Sequence, residues 1–225
     1  MADDAIPAAV RDAVRDAETL RDGAAAMGVP LNSQSLPRLL NYIRLLERWN
    51  KAFNLVSRKD MDRLVARHLL DSLSVLPWLQ GPRVMDLGTG AGLPGIPLAI
   101  ARSDLSFTLV DRNNRKIRFL TQVIGELKLA NVFVCCENAK AGDKHEKFFT
   151  ITARAVAPAL KVWRLMRDRL EVGGRLILLN RVLSDVTEDV EDSAEMVFPG
   201  GVVERVEIRI PGLTRAHAVT IVERC

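Results

Sequence analysis

Hydrophobic positions in the first 80 residues recur with the period of an α-helix. Residues 8–28 form a polar, alanine-rich stretch typical of a helix. From Ser35 onward, apolar side chains return every three or four residues, which predicts an amphipathic helix. The members of this series are Leu36, Leu39, Leu40, Ile43, Leu46, Trp49 and Phe53. Because Trp49 fits the series, we interpret it as a core residue, and we expect residues 1–80 to form a helical extension.

The pattern changes at Gly81-Pro82, a dipeptide that interrupts helices. Beyond it, short apolar runs alternate with segments long enough to be helices, which predicts parallel strands joined by helical crossovers. The predicted strands are 84–87, 107–110, 132–136, 150–153 and 176–179, and the predicted helices are 94–102, 115–127 and 159–170. Two further strand-like runs, 202–210 and 217–222, are joined by Pro211-Gly212 with no helix between them, so we expect an antiparallel hairpin.

These elements predict a doubly wound α/β domain over residues 81–225, with a mostly parallel sheet that ends in the C-terminal antiparallel hairpin. We predict a boundary between this domain and the helical extension near residue 81. Nothing in the pattern indicates an internal repeat, and we expect a monomer.

Composition narrows the function classes. With 48% hydrophobic and 27% charged residues, the chain is typical of globular proteins. No apolar run approaches the roughly 20 residues of a membrane span, and the acidic Asp3-Asp4 start differs from a signal peptide. We therefore expect a cytoplasmic protein with no membrane partner. Cys135, Cys136 and Cys225 lack zinc-site or disulfide spacing, so we expect buried, reduced thiols and no metal. The net charge of +4 is too small to indicate nucleic acid by itself.

The strongest local signal is a glycine-rich segment, DLGTGAGLPG, that runs from Asp86 to Gly95. It follows the first predicted strand and precedes a helix, as a nucleotide-binding loop requires. Its glycines Gly88, Gly90 and Gly92 allow positive φ angles and let a ligand approach the main chain closely. Gly90, Gly92 and Gly95 also satisfy the dinucleotide-binding spacing G-x-G-x-x-G, so the glycines alone leave a nicotinamide or flavin enzyme open.

Two carboxylates distinguish these alternatives. Asp86, at the tip of the first strand, would repel a pyrophosphate but suits a ligand with ammonium and sulfonium groups. S-adenosylmethionine carries both cations and no phosphate. Asp111 ends the second strand, where a carboxylate can accept hydrogen bonds from both ribose hydroxyls. The loop and its carboxylates therefore favour S-adenosylmethionine as cofactor.

The same residues resemble a known family, the glucose-inhibited division protein B family of small-subunit rRNA guanine-N7 methyltransferases, a branch of the class I (Rossmann-like) enzymes. The resemblance covers most of residues 40–180. The segments that carry it are Trp49-Asn50-Lys51, Asn54-Leu55, Arg67-His68-Leu69-Leu70-Asp71-Ser72, the loop through Pro97, Arg118-Phe119-Leu120 and Arg154-Ala155. The Gly-Leu-Pro-Gly-Ile-Pro run joined to the Arg-His-x-x-Asp-Ser segment is the most specific part.

The resemblance implies S-adenosylmethionine-dependent transfer of a methyl group to guanine N7 in 16S rRNA, with small-subunit rRNA or the small ribosomal subunit as partner. It implies cofactor contacts at Gly88, Leu93, Ala139, Lys140 and Arg154, with Asp111 on the ribose. Two departures stand near the expected active face. Lys140 replaces an acid that the family commonly has beside the adenine, and Asn180-Arg181 replaces a Lys-Gly pair.

Guanine N7 carries an in-plane lone pair and no hydrogen, so its attack on a methyl group requires no general base. The expected work of the enzyme is alignment of N7 with the methyl carbon. We therefore predict no catalytic acid–base pair. His68 and Asp71 lie one helical turn apart, and we interpret their spacing as a hydrogen bond that stabilises the helix.

Basic residues cluster beside the predicted cofactor loop. The segment that follows Asp111 has four basic residues and no acid, namely Arg112, Arg115, Lys116 and Arg118. A second cluster contains Arg58, Lys59, Arg63 and Arg67. Both are equally consistent with a solvated helix surface. As a hypothesis, Arg67 and the four residues after Asp111 contact RNA phosphates.

Two other function classes remain open on the sequence. The departures at Lys140 and Asn180 would fit a catalytically impaired RNA-binding or ribosome-assembly protein of the same fold. The glycine spacing and Asp111 would fit a nicotinamide oxidoreductase.

Overall fold

The computed structural model describes residues 8–29, 31–57, 64–137, 146–179 and 197–225. The N-terminal part is helical, as predicted. Its elements are α1 (Ala8–Ala26), α2 (Ser35–Phe53), a run of π-helical turns (Val65–Leu70), α3 (Asp71–Leu73) and a 3₁₀ turn (Leu76–Trp78). Helix α2 begins and ends at the predicted residues, because its apolar stripe packs on the rest of the protein and Asn54 ends it in a left-handed conformation.

The α/β part contains seven strands and three helices among the described residues. The strands are β1 (Arg83–Leu87), β2 (Ser106–Asp111), β3 (Val132–Cys136), β4 (Phe148–Arg154), β5 (Leu170–Leu179), β6 (Gly201–Ile208) and β7 (His217–Arg224). The helices are α4 (Gly95–Ala101), α5 (Asn114–Leu127) and α6 (Ala159–Met166), and a 3₁₀ turn at Arg167–Arg169 follows α6. These elements confirm the predicted order.

The strands form one sheet in the order β3-β2-β1-β4-β5-β7-β6. The first five strands are parallel, and β7 pairs antiparallel with both β5 and β6. The predicted C-terminal hairpin is therefore confirmed. The strand order reverses between β1 and β4, and ligands of open α/β sheets bind at such a switch point, beyond the carboxyl ends of the strands. The glycine loop after β1 lies there.

Strand β5 differs from the prediction, which began it at residue 176. In the structure it begins at Leu170, and the preceding helix ends at Met166. The Gly173-Gly174 pair within β5 has the composition of a turn. In the structure, Gly174 instead lies where the backbone comes close to neighbouring backbone atoms. A Cβ on Gly174 would lie 2.9 Å from the carbonyl oxygen of Glu171 and 3.1 Å from that of Phe149. Only glycine fits there, beside an irregularity in the β4–β5 register.

The central strands of the sheet are buried on both faces, whereas much of the edge strand β6 is exposed. One face packs against α1, α2, α3, α4 and α5 in a single apolar cluster that includes Leu20, Phe107 and Phe119. The other face packs against α6 around Trp163. The N-terminal helices and the sheet thus share one core, while the predicted division near residue 81 stays a prediction. Trp49 packs against this core, 5.6 Å from the Phe119 ring, as expected.

The cysteines depart from expectation. All three are free thiols, but Cys135 is only half-buried, and Cys136 and Cys225 are exposed. The prediction of burial is wrong because β3, which carries Cys135 and Cys136, is an edge strand paired only with β2. Among the described helices, none combines the length and apolar content that a membrane span needs.

A hydrogen bond links the N-terminal helices to the glycine loop. The hydroxyl of Tyr42, a fully buried residue of α2, donates to the carbonyl oxygen of Ala91 over 2.7 Å. Tyr42→Phe should lower the free energy of unfolding by about 1–3 kcal/mol, because the Ala91 carbonyl would lose its buried partner. Denaturant unfolding measures this change.

A matched control is Thr121→Val, which deletes an exposed hydroxyl that donates to the Ile117 carbonyl within α5. We expect a change within about 0.5 kcal/mol for this variant. Equal effects of the two substitutions would contradict the assigned role of Tyr42.

Candidate functional site

The glycine loop turns sharply between β1 and α4. Gly88, Gly90 and Gly92 have φ angles of +65°, +63° and +93°, which L side chains rarely adopt. A Cβ on Gly92 would lie 2.6 Å from the Ile96 side chain and 2.8 Å from that of Leu120. The loop is thereby fixed by its own backbone and by the helices beneath it.

Gly88 meets the segment that follows β4. A Cβ on Gly88 would lie 2.7 Å from Cγ2 of Val156. Val156 reaches this position because the preceding residue, Ala155, adopts a φ of +51°, an uncommon conformation for a residue with a side chain. Backbone strain of this kind is concentrated at functional sites. The short distance between Gly88 and Val156 shows that the segments following β1 and β4 are in direct contact.

Asp86 supports the loop from below. Its side chain is 0% exposed; Oδ2 accepts a 2.9 Å hydrogen bond from the Gly95 backbone N–H, and Oδ1 accepts a 2.8 Å bond from the Thr152 hydroxyl. Burial raises the pKa of this carboxyl to about 6, against hydrogen bonds and the Arg154 charge, which lower it. Both carboxylate oxygens thus have hydrogen-bond partners within the protein. The sequence instead predicts that this carboxylate faces a cationic ligand directly.

Asp111 supports the loop from the side. Its Oδ2 accepts from the Gly90 backbone N–H over 2.9 Å and lies 3.4 Å from the Lys116 ammonium, while Oδ1 accepts from the Asn113 N–H. A Cβ added to Gly90 would point toward this ammonium, 3.7 Å away. Lys116, predicted to contact RNA, therefore lies against the glycine loop and Asp111 in the structure.

Arg154 lies at the carboxyl end of β4. Its Nη1 is 3.4 Å from Oδ2 of Asp71 and 3.5 Å from Nδ1 of His68. The same carboxylate of Asp71 is 2.8 Å from Nδ1 of His217, the first residue of β7. The spacing of His68 and Asp71 suggested a contact within one helix, but Asp71 joins its helix to two strands.

The remaining predicted site residues fall into three groups. Leu93 is buried within the loop. Arg67, Arg112, Arg115 and Arg118 are exposed. Ala139 and Lys140, together with the departure at Asn180-Arg181 and the basic residues Arg58, Lys59 and Arg63, lie outside the described residues.

Sequence reasoning missed three polar residues that shape the site. Thr152 and Tyr42 lie in apolar stretches of β4 and α2, and a lone hydroxyl in a buried stretch is the signal that could have identified them. His217 was set aside for lack of ligand spacing, because its partner Asp71 is 146 residues away in the chain. In the described part of the chain, no three His, Cys, Asp or Glu side chains are placed to hold a metal ion.

Comparison with known proteins gives the family. A family model described as rRNA small subunit methyltransferase G matches residues 35–210. The chain belongs to this family. A ribosomal RNA small subunit methyltransferase G of Stenotrophomonas maltophilia is 38% identical over 222 residues, which cover 98% of this chain and 99% of the relative. The Laribacter hongkongensis protein of the same name is 38% identical over 196 residues, 87% of this chain and 92% of that protein.

Solved structures support the fold. The precorrin-6y C5,15-methyltransferase of Geobacter metallireducens has a TM-score of 0.51 at 16% identity and covers 77% of this chain and 92% of its own. The ribosomal protein L11 methylase of Lactobacillus delbrueckii subsp. bulgaricus has a TM-score of 0.51 at 17% identity, over 69% of this chain and 76% of that one. The fold is that of the class I, Rossmann-like methyltransferases, as the sequence predicted.

Burial of Asp86 has a consequence for stability. Because its folded pKa of about 6 exceeds the ordinary value of 3.8, the folded state binds a proton more tightly than the unfolded chain. The contribution of Asp86 to stability therefore falls as pH rises from about 4 to 6 and is constant above that range. Asp86→Asn retains an acceptor for Gly95 and removes the buried charge.

We expect the free energy of unfolding of Asp86→Asn, relative to wild type, to increase between pH 4 and 6 and then level off. Denaturant unfolding at several pH values measures the difference. The control is Asp104→Asn, at a carboxylate whose pKa is lowered by Arg102. A difference that is independent of pH would contradict the assigned environment of Asp86.

Proposed function

We propose that the protein transfers the methyl group of S-adenosylmethionine to N7 of a guanine in small-subunit (16S) rRNA. The observation that carries the proposal is the glycine loop, fixed by Asp86 and Asp111 at the switch point of the sheet, in a chain of the rRNA small subunit methyltransferase G family. Relatives with this name match nearly the full length of the chain.

The loop fits this cofactor. The positive φ angles of Gly88, Gly90 and Gly92 leave main-chain atoms unscreened by side chains. The space in front of Gly90 is bounded by the Lys116 ammonium, and Asp111 holds the Gly90 N–H. Asp111 suits the ribose hydroxyls because a carboxylate accepts two hydrogen bonds in this position of a nucleotide-binding fold. Asp86 acts on the cofactor indirectly, because it fixes the loop conformation and contributes a negative charge beneath the loop.

Arg154 and Leu93 complete the described part of the cofactor site. We assign Ala139 and Lys140 to the same site on the resemblance alone. The bound cofactor supplies an electrophilic methyl group on a sulfonium. The protein residues bind and orient the donor and exclude water, and the guanine contributes the N7 lone pair, so no side chain has to remove a proton.

RNA recognition is assigned to the exposed arginines beside the loop. Arg112 lies between β2 and α5, Arg115 and Arg118 lie in the first turns of α5, and Arg67 lies in the π-helical turns. Positive charge at a helix N-terminus opposes the helix dipole, which favours an external anion such as RNA phosphate. We propose that the protein acts as a monomer in the cytoplasm, where rRNA is available.

The alternatives are less well supported. A nicotinamide enzyme is disfavoured because Asp86 places negative charge beneath the loop that would receive a pyrophosphate. A catalytically impaired RNA-binding paralogue is disfavoured because the described loop is intact and the relatives carry the name of an enzyme.

The experiment that tests the function is mass spectrometry of nucleosides from small-subunit rRNA of a strain that lacks the gene, its parent and a complemented strain. We expect 7-methylguanosine to decrease in the deletion strain and to return on complementation. An unchanged nucleoside profile would contradict the proposed function.

Asp111→Asn should weaken adenosylhomocysteine binding about tenfold or more, because charge-assisted hydrogen bonds contribute about 1.5–3 kcal/mol. Isothermal titration calorimetry measures the dissociation constant. Asp104→Asn serves as the control, since it removes an exposed carboxylate from the Arg102 ion pair without touching the loop. Unaltered affinity in Asp111→Asn would contradict the assignment of the ribose site.

Arg118→Gln should weaken binding to small-subunit rRNA and reduce the slope of log affinity against log salt by about one, as expected for one lost phosphate contact. Filter binding at several salt concentrations measures both quantities. Arg21→Gln, on the exposed surface of α1, is the matched control and should leave the slope unchanged. Equal slopes for wild type and Arg118→Gln would remove this residue from the RNA surface.

A further inference from the structure

Asp71 connects three parts of the fold at the carboxyl edge of the sheet. Its carboxylate is largely buried, with Oδ1 2.8 Å from Nδ1 of His217 and Oδ2 3.4 Å from Nη1 of Arg154. Arg154 ends β4, and His217 begins β7. In the sheet register, Arg154 pairs with Leu179 and Leu179 pairs with Val219. The carboxylate therefore spans the end of β5.

This position adjoins the proposed cofactor site. Arg154 is close enough to the glycine loop for its charge to lower the pKa of Asp86. His217 and Arg154 share one carboxylate, so the imidazole ring and the guanidinium lie within the span of a nucleobase. The side chains of both remain partly exposed, at 17% and 25%. The cluster thus lies at the carboxyl edge of the sheet, where solvent, and therefore a ligand, can reach both side chains.

A purely structural role explains this cluster poorly. Removing two charges from water costs several kcal/mol per ion, and an apolar replacement is often equally stabilising. The π-helical turns Val65–Leu70 also directly precede Asp71, and this backbone form is frequent at functional sites. The ion pair is therefore weak evidence for a stabilising role, and it lies next to the proposed reaction site.

The contact with Asp71 fixes the imidazole of His217. An ionised carboxylate only accepts hydrogen bonds, so Nδ1 of His217 must be the donor. In the neutral ring, Nε2 then carries a lone pair and is an acceptor. Asp71 increases the negative potential at this ring and holds its orientation, as a carboxylate does for an imidazole in other enzymes.

Guanine gives this acceptor a specific partner. When N7 bonds to the methyl carbon and the carbon–sulfur bond breaks, the positive charge of the donor passes to the purine ring, and no proton is released. The N1–H group then becomes more acidic, so a hydrogen bond that it donates is stronger in the transition state than in the ground state. Such differential binding lowers the activation barrier. Adenine has no N1–H and would be rejected.

Resting on the proposed function, we propose that His217 is a catalytic residue whose Nε2 accepts a hydrogen bond from N1–H of the target guanine, and that Asp71 is the positioning residue that holds His217 and Arg154. Of the two residues held by the Asp71 carboxylate, Arg154 contacts the cofactor and His217 contacts the target base. One carboxylate therefore aligns both reactants.

The test uses purified full-length variants, small ribosomal subunits from a strain that lacks the gene, and methyl-labelled S-adenosylmethionine. His217→Ala should lower kcat about 100-fold, the scale seen when one group that stabilises transition-state charge is removed. The dissociation constant for adenosylhomocysteine should stay within about twofold of wild type. Added imidazole should raise the rate of this variant at least about tenfold.

His217→Lys separates the catalytic from the structural role. Its ammonium can still donate to Asp71 but has no acceptor for N1–H of the base, so we expect a folded, cofactor-binding and inactive protein. Asp71→Asn should lower kcat at least about tenfold and also weaken adenosylhomocysteine binding, because Arg154 loses its anionic partner. Glu207→Gln, which removes a carboxylate from the neighbouring strand β6, is the control and should match wild type.

The outcomes are distinct. A wild-type rate in His217→Lys, or loss of rate in His217→Ala without recovery by imidazole, would overturn the inference while leaving the proposed function in place. Failure of the wild-type protein to label any rRNA would overturn the proposed function and this inference with it.

Discussion

Two carboxylates hold the glycine loop, and the rest of the site depends on these contacts. Asp86, at the end region of β1, accepts from the Gly95 N–H, and Asp111, at the end of β2, accepts from the Gly90 N–H. A loop with three residues at positive φ loses much conformational entropy on folding, so it needs such fixed anchors. Because both anchors belong to strands, the loop inherits the rigidity of the sheet.

The N-terminal helices complete the site. Tyr42 of α2 donates to the loop carbonyl of Ala91, and Asp71 of α3 contacts the strand ends that flank β5. The helices and one face of the sheet share a single apolar core. The geometry of the glycine loop and of the proposed base-recognition site is therefore sensitive to substitutions in the first 80 residues, which carry few of the predicted contact residues.

Local patterns predicted much of the fold and pointed to the residues around which the candidate site is built. The period of apolar residues identified α2, the alternation of elements identified the parallel sheet, and the order of strand, glycine loop and acid identified Asp86 and Asp111. The early start of β5 was missed because Gly174 reads as a turn but is required by close backbone contact. The link from Asp71 to His217 was missed because it joins residues far apart in the chain.

The central claim is that this loop and its two carboxylates form the site of an adenosyl methyl donor. A crystal structure with adenosylhomocysteine tests it most directly. The account predicts a ligand whose ribose hydroxyls donate to Asp111, whose amino acid portion lies along the backbone of Gly88 and Gly90, and a Lys116 ammonium displaced from Asp111. A ligand bound elsewhere, with the Lys116–Asp111 pair intact and the loop unoccupied, would contradict it.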